Sequence, residues 1–352
     1  LHRFLNCIGG YTKSKFTYSF AAAEAVVPHI LGSYRAYLDT CTSWDSIKDN
    51  TELFVCFGGI PLKNGQICQG GTGHHYQRES LMAAAAADIH FVNITPLKSD
   101  LLDEVAGEWL APRPNTDTAI LLAIAHTLHT EGLSDQGFLD KYTEGFDAFL
   151  PYLLGEDDGI AKTADWAAEI SELPAETIRS LARRMARQRT MISASWSLTR
   201  QDHGEQAFWA TIMVASMLGQ IGLPGGGFGF GYSATNHIGG QFTILPGASF
   251  PQAQNKIDSF IPVARISDLL LHPGEDFEFD GVTYQYPDTK VVYWAGGNPF
   301  HHHQDINRLM RAWAKPATII VNAWCWNALA QRADIVLPFT SPLERPDIAM
   351  TP

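Results

Sequence analysis

The residues that first suggest chemistry are two glycine pairs, Gly58-Gly59-Ile60-Pro61 and Gly296-Gly297-Asn298-Pro299. Each follows a short apolar run. A Gly-Gly turn after a strand lets backbone amides approach a pyrophosphate, and the proline fixes the chain beyond it. One such turn is an ordinary strand-to-helix connection; two in matching places bring phosphate binding level with that account. Neither is a G-x-G-x-x-G fingerprint, so a standard nicotinamide site is disfavoured. Lys63 follows the first turn and could pair with phosphate, although an exposed surface lysine is the simpler reading. Asn115-Thr116-Asp117 precedes a strong helical pattern. Capping explains it well, with Asn or Thr as cap and Asp in the first turn. Alternatively, the Asp117 carboxylate could accept hydrogen bonds from N1–H and N2–H of a guanine, a pairing that adenine cannot make. Trp196-Ser197-Leu198-Thr199-Arg200 follows another apolar run, where Trp and Arg could flank a base and a phosphate. A core tryptophan and a surface ion pair serve equally well.

Other chemistries find little support. His301-His302-His303 resembles a metal site, but adjacent side chains on one helix diverge, so zinc is rejected. One of the three could touch phosphate, or all could simply mark a polar helix start. Cys7, Cys41, Cys56, Cys68 and Cys325 contain no C-x-x-C pair, which argues against a zinc ribbon or a cysteine-ligated iron–sulfur cluster in this segment. Their odd number and scatter suggest mostly buried free thiols. No Ser/His/Asp or Cys/His set has recognisable spacing, and no G-x-S-x-G occurs.

The elements that must position these residues alternate. Leu53–Phe57 and His90–Ile94 read as strands enclosing a helix over 76–87. Strand, glycine turn, helix and strand make a βαβ unit, hence a parallel sheet. Helices are expected over 118–130, from Ala175 onward, and over 208–219, with a strand over 191–195. The glycine-rich run from Gly222 to Gly227 reads as a turn, and 232–264 as a long loop. The Gly-rich stretch from Gly225 and the loop after Tyr232 are candidates for a pocket wall. The last third repeats the early pattern: strand 291–295, helix 304–313, strand 318–321 and strand 334–338. The expected fold is α/β, with two Rossmann-like domains related by a weak internal repeat. Each would offer a crevice at the carboxyl ends of its strands.

The 352 residues carry 25 Lys plus Arg against 37 Asp plus Glu, a net charge of −12. Such a surface repels nucleic-acid backbones, so a general nucleic-acid role is disfavoured. Hydrophobic residues make up 45% and charged residues only 18%, which fits a chain, or a piece of one, with much interior. No stretch is long and apolar enough to span a membrane as a helix. The chain opens at Leu1, without an initiator Met, and is expected to be the central portion of a longer protein.

Taken together, several stretches resemble the dimethyl sulfoxide reductase family of molybdopterin oxidoreductases, particularly its trimethylamine N-oxide and biotin sulfoxide reductase branch. They are Leu1-His2-Arg3-Phe4-Leu5-Asn6 with Gly9-Gly10, Pro61-Leu62-Lys63-Asn64, Arg113-Pro114-Asn115-Thr116-Asp117-Thr118-Ala119, Gly222 through Gly229, Gly297-Asn298-Pro299-Phe300, and Ala333 through Pro338 with Leu343-Glu344-Arg345. They cover essentially the whole chain in the family's order. The resemblance implies a continuous domain over 43–201 and a discontinuous one joining 1–42 to 202–352. Each would hold the guanosine end of one pterin dinucleotide of a molybdenum bis(molybdopterin guanine dinucleotide) cofactor. Lys63, Thr95, Pro96, Asn115, Asp117, Trp196, Leu198 and Arg200 would line one side. Gly297, Asn298, Pro299, His301 and Gln304 would line the other, with Asn322 and Trp326 nearby. Thr95, Ala323 and Cys325 depart from the family pattern.

The same resemblance implies reduction of an S-oxide or N-oxide by oxygen-atom transfer. An external electron donor such as a cytochrome would take part, in the setting of anaerobic respiration, with the periplasm favoured over the cytoplasm. The molybdenum ligand, a serine in this branch, is expected upstream of Leu1, so no catalytic residue is named and the segment alone is expected to be inactive. A dehydrogenase, hydroxylase or transhydroxylase with the same cofactor, or a nucleotide-binding domain without redox chemistry, are the alternatives.

Overall fold

A computed structural model describes residues 1–66, 74–240 and 250–346. Cys68, the stretch 241–249 of the long loop and the last residues, Met350-Thr351-Pro352, lie outside the described residues. Backbone contacts divide the chain into two compact units. One contains residues 19–240, and the other joins 1–18 to 250–346.

The larger unit is built on a five-stranded sheet in the order Glu108–Leu110, His90–Ile94, Leu53–Phe57, Thr190–Ala194, Gly227–Phe230, with every pairing parallel. All residues of Leu53–Phe57 and Thr190–Ala194 are buried, as expected of central strands covered on both faces. The helix Asp117–Thr130 packs against helices Ala164–Ser171, Ala175–Arg187 and Glu205–Met217, and is apolar almost all round because it has few free faces. Ala175–Arg187, by contrast, buries Ile178, Leu181, Ala182 and Met185 at helical spacing and turns its arginines outward. Arg183 there reaches both Glu131 and Glu176, each at 2.8 Å.

The chain runs from Leu53–Phe57 outward to His90–Ile94 and Glu108–Leu110. It then crosses back to place Thr190–Ala194 and Gly227–Phe230 on the other side. The winding therefore reverses between Leu53–Phe57 and Thr190–Ala194, and their carboxyl ends frame the crevice such a reversal leaves. The sheet takes in Gly227–Phe230, so this unit extends beyond residue 201. That strand begins at Gly227, the last residue of the expected turn. All four of its residues are buried, and a Cβ on Gly229 would come within 2.1 Å of the Tyr232 ring. The stretch after it is tied to the same unit. Gln77 Nε2 donates to the Tyr232 carbonyl (3.0 Å), Asn64 Nδ2 to that of Ser233 (2.7 Å), and Tyr232 Oη to that of Thr42 (2.5 Å).

The smaller unit has a parallel sheet ordered Val291–Ala295, Thr318–Ala323, Ile335–Pro338, and an antiparallel hairpin of Asp276–Phe279 with Val282–Gln285. Its core is Phe300, Leu309, Ala312, Trp313, Ile319 and Val321, with Leu269, Leu270, Phe277 and Tyr286. Lys13–Lys15 pairs in parallel with Phe260–Pro262, and Thr12 Oγ1 meets Ser259 Oγ at 2.7 Å across a separation of 247 residues.

Candidate functional site

In the larger unit the residues singled out by sequence converge on one edge of the sheet. Because all five strands are parallel, their carboxyl ends lie together. Gly58 N donates to the Ile94 carbonyl (2.9 Å), Thr95 N to that of Leu110 (3.1 Å) and Ser195 N to that of Phe57 (2.8 Å), which laces four strand ends side by side. Gly58 and Gly59 stand at the point of reversal with φ of 79° and 72°. The turn is crowded from the protein side. A Cβ on Gly58 would lie 2.7 Å from Ser195 Cβ, and one on Gly59 2.6 Å from both Cβ and the carbonyl oxygen of Asp100.

Beyond this turn, exposed Lys63 reaches Asp100 Oδ1 at 3.3 Å, and buried Thr95 contacts Asp100 Oδ2 at 3.4 Å. Asp100, which sequence reasoning missed, thus ties Lys63 to Thr95. No local pattern marks it, since the link forms only when two strand ends meet. Pro96, Asn115 and Arg200 are exposed around the edge, and Leu198 is buried beneath it. Phe20 lies against the Trp196 ring, with centroids 4.2 Å apart.

Asp117 opens its helix and is 6% exposed. The capping account holds only in part. Thr116 occupies the cap position, but its hydroxyl turns back to donate to the Arg113 carbonyl (2.6 Å), and no side chain caps the helix. Asn115 adopts a left-handed φ of 65°. The Asp117 carboxylate faces no cation among the described residues. Its side-chain partner is Gln201, whose Nε2 donates to Oδ2 at 3.3 Å. Burial raises the carboxyl pKa, and the bonds from Gln201 and from the residue's own amide only offset that. Gln201 follows immediately on the Trp196–Arg200 stretch. Its position was visible in the sequence, but nothing local linked it to Asp117, 84 residues earlier.

In the smaller unit the second glycine pair also follows the first strand of a parallel sheet. Gly296 and Gly297 have φ of 87° and 69°. Their surroundings are open. A Cβ on Gly296 would meet nothing within 4 Å, and one on Gly297 only His302 Nε2 at 3.6 Å. Asn298 Oδ1 accepts from Phe300 N (3.1 Å), while its buried Nδ2 has no partner among the described residues. Pro299 is buried in the first turn of a short helix, with His301 exposed beside it. Gln304 Oε1 accepts from Tyr18 Oη (3.0 Å), which also contacts His303 Nδ1 (2.6 Å). Burial pushes the Tyr18 hydroxyl up to about 12. His303 Nε2 meets Ser267 Oγ at 3.2 Å, so this histidine is enclosed. Among the described residues no group of three or more His, Cys, Asp or Glu could hold a metal ion. Asn322, half-buried, is the penultimate residue of the middle strand, and Trp326 beyond it is 69% exposed.

These features fit the ends of a pterin dinucleotide. An open glycine turn and an unsatisfied amide donor suit phosphate oxygens, and a buried anion without a counter-ion suits a neutral base that offers N–H groups.

Fold and site together define an α/β protein with parallel sheets whose strand ends carry glycine turns, donors and acceptors. Residues 1–351 match the molybdopterin oxidoreductase family model, and the chain belongs to that family. It is 46% identical over 349 residues to biotin sulfoxide reductase of Cereibacter sphaeroides, covering 99% of this chain and 47% of that protein. It is 44% identical over 362 residues to the dimethyl sulfoxide/trimethylamine N-oxide reductase of the same organism (99% and 43% covered). Against trimethylamine-N-oxide reductase of Haemophilus influenzae the identity is 43% over 362 residues (99% and 44%). The chain therefore spans about half the length of the curated relatives it matches. Among solved structures, acetylene hydratase from Pelobacter acetylenicus is similar in fold, with a TM-score of 0.54 at 16% identity, covering 96% of this chain and 46% of that one. Family membership implies a molybdenum–molybdopterin cofactor.

Proposed function

We propose that this chain is the cofactor-gripping portion of an S-oxide or N-oxide reductase, and that the cofactor is the bis(guanine dinucleotide) form. Two Rossmann-like halves, the unit built on the five-stranded sheet and the unit joining 1–18 to 250–346, each take one dinucleotide tail. Lys63, Thr95, Pro96, Asn115, Asp117, Trp196, Leu198 and Arg200 serve one tail. Gly297, Asn298, Pro299, His301, Gln304, Asn322 and Trp326 serve the other.

The observation that carries the guanine assignment is Asp117, a buried carboxylate that no cation among the described residues faces. An anion in that position needs donors, and the N1–H and N2–H edge of guanine supplies two. The reductase assignment is supported by the activities for which the relatives at 43–46% identity are named. When bound, the cofactor supplies the oxygen-atom transfer. The chain's own residues bind and orient its nucleotide tails. A separate donor such as a cytochrome delivers the electrons.

The test is chemical analysis of the full-length protein. Mild acid should release two GMP per molybdenum. Reduced viologen should be reoxidised by dimethyl sulfoxide, trimethylamine N-oxide or biotin sulfoxide. Release of CMP, or of no nucleotide, would overturn the guanine assignment, and molybdenum-replete protein inert to all three oxides would overturn the reaction class.

A further inference from the structure

We propose that Gln201 is a second base-reading residue, donating a hydrogen bond to O6 of the guanine whose N1–H and N2–H are taken by Asp117. The inference rests on the guanine reading given above and adds to it the third position of the base's edge.

The argument begins with the amide. An ionised carboxylate can only accept, so the Gln201 atom 3.3 Å from Asp117 Oδ2 must be the nitrogen. That nitrogen carries two N–H bonds, and one is used. The other has no partner among the described residues, and Gln201 is half-buried at the rim of the strand-end crevice. The pair therefore presents three groups in a row: a free N–H on Gln201, then Oδ2, then Oδ1 of Asp117. Along the edge of guanine the complementary groups run O6, N1–H, N2–H, in the same order. Oδ2 can accept from Gln201 and from N1–H together, because a carboxylate oxygen has two lone pairs.

The choice of glutamine also makes electrostatic sense. A lysine or arginine here would neutralise Asp117 and compete with the base for its oxygens. A neutral amide steadies the carboxylate and leaves its charge available.

Both partners are held by backbone. Asp117 sits in the first turn of a helix buried on most sides. Gln201 closes the short Trp196–Arg200 helix, and its carbonyl accepts from Gly204 N (3.2 Å). A Cβ on Gly204 would lie 2.2 Å from the Leu198 carbonyl, so this tight return of the chain requires glycine. The reading amide is thus pre-set rather than carried on a wandering loop.

The experiment is a calorimetric titration of the chain with GDP, 6-thio-GDP and IDP, following the site that Asp117→Asn weakens. 6-thio-GDP keeps N1–H and N2–H but weakens the acceptor at position 6, and IDP lacks the 2-amino group. Wild type should bind 6-thio-GDP about two- to tenfold more weakly than GDP, the range of one neutral hydrogen bond. Gln201→Leu should bind the two alike, while still losing affinity for IDP as wild type does. Gln201→Met gives the same comparison with the side chain's length kept, should leucine unsettle the turn. A variant that retains the GDP preference over 6-thio-GDP, or a wild type that has none, overturns the role of Gln201. Asp117→Asn binding GDP like wild type, or a wild type that binds no GDP, overturns the guanine reading itself.

Discussion

Replacing Asp117 with asparagine should weaken the chain's grip on guanine and strengthen the chain itself. The carboxylate offers two acceptors to the base, whereas asparagine keeps one and turns an N–H towards an N–H. At least one charge-assisted bond is lost, worth about 1.5–3 kcal/mol, so GDP should bind about 10- to 150-fold more weakly. The new donor matches the 2-oxo group of xanthine, so the same variant should gain affinity for XDP. Stability should move the other way. Burial is the largest influence on this carboxyl and raises its pKa above the ordinary 3.8. The folded chain therefore holds that proton more tightly than the unfolded chain does. Its contribution to stability is fully present below 3.8 and is lost as pH rises through the folded value. At pH 7 the ionised form is a burden that asparagine does not carry. Asp117→Asn should accordingly melt higher than wild type at pH 7, with the difference shrinking as pH falls. Thermal melts at stepped pH, beside nucleotide titrations, read both halves. If Asp117 serves only the helix dipole, the variant should instead melt lower at pH 7 with GDP affinity unchanged, and that pair of results would refute the reasoning.

The glycine turns offer a contrast. Gly59→Ala meets both a left-handed φ of 72° and a backbone oxygen at 2.6 Å, so urea unfolding should report a loss above the ~1–3 kcal/mol of backbone strain alone. Gly297→Ala, at a similar φ but with open space, should lose only about 1–2 kcal/mol. His303 is enclosed by Tyr18 and Ser267, with His302 and Asp268 as its titratable neighbours, and burial lowers its pKa below 6.5. Its neutral form stabilises the fold above 6.5 and loses that advantage as pH falls through the folded value, so His303→Gln should flatten the fall in melting temperature between pH 8 and pH 5. Ile124→Ala, at a fully buried site within the central helix, should cost about 2–5 kcal/mol in chemical denaturation.

What the sequence made legible follows from how local each signal is. Leu53–Phe57, His90–Ile94 and Val291–Ala295 are short runs of strand formers closed by turn residues, and the structure has all three at those bounds. The glycine pairs could be matched because each follows its strand directly. Gly227–Phe230 was hidden because its glycines read as a turn. It is a strand through its parallel pairing with Thr190–Ala194, and the neighbouring Tyr232 ring leaves no room for a side chain at Gly229. Glu108–Leu110 and Lys13–Lys15 are three residues each, too short for any periodicity, and exist through their partners. The same limit applied at the site. Asp117 stood beside a recognisable helix start, but Asp100 and Gln201 gain meaning only from residues 37 and 84 positions away.

The pairing of Lys13–Lys15 with Phe260–Pro262 has a consequence for biosynthesis. As the chain emerges from a ribosome at about 5–20 residues per second, the early strand waits roughly 10–50 s for its mate. Everything needed for the five-stranded sheet is made in that interval, so the contiguous unit is free to fold first. Meanwhile the waiting segment carries Lys13 and Lys15 on either side of Ser14, a charged edge that discourages pairing with other nascent chains.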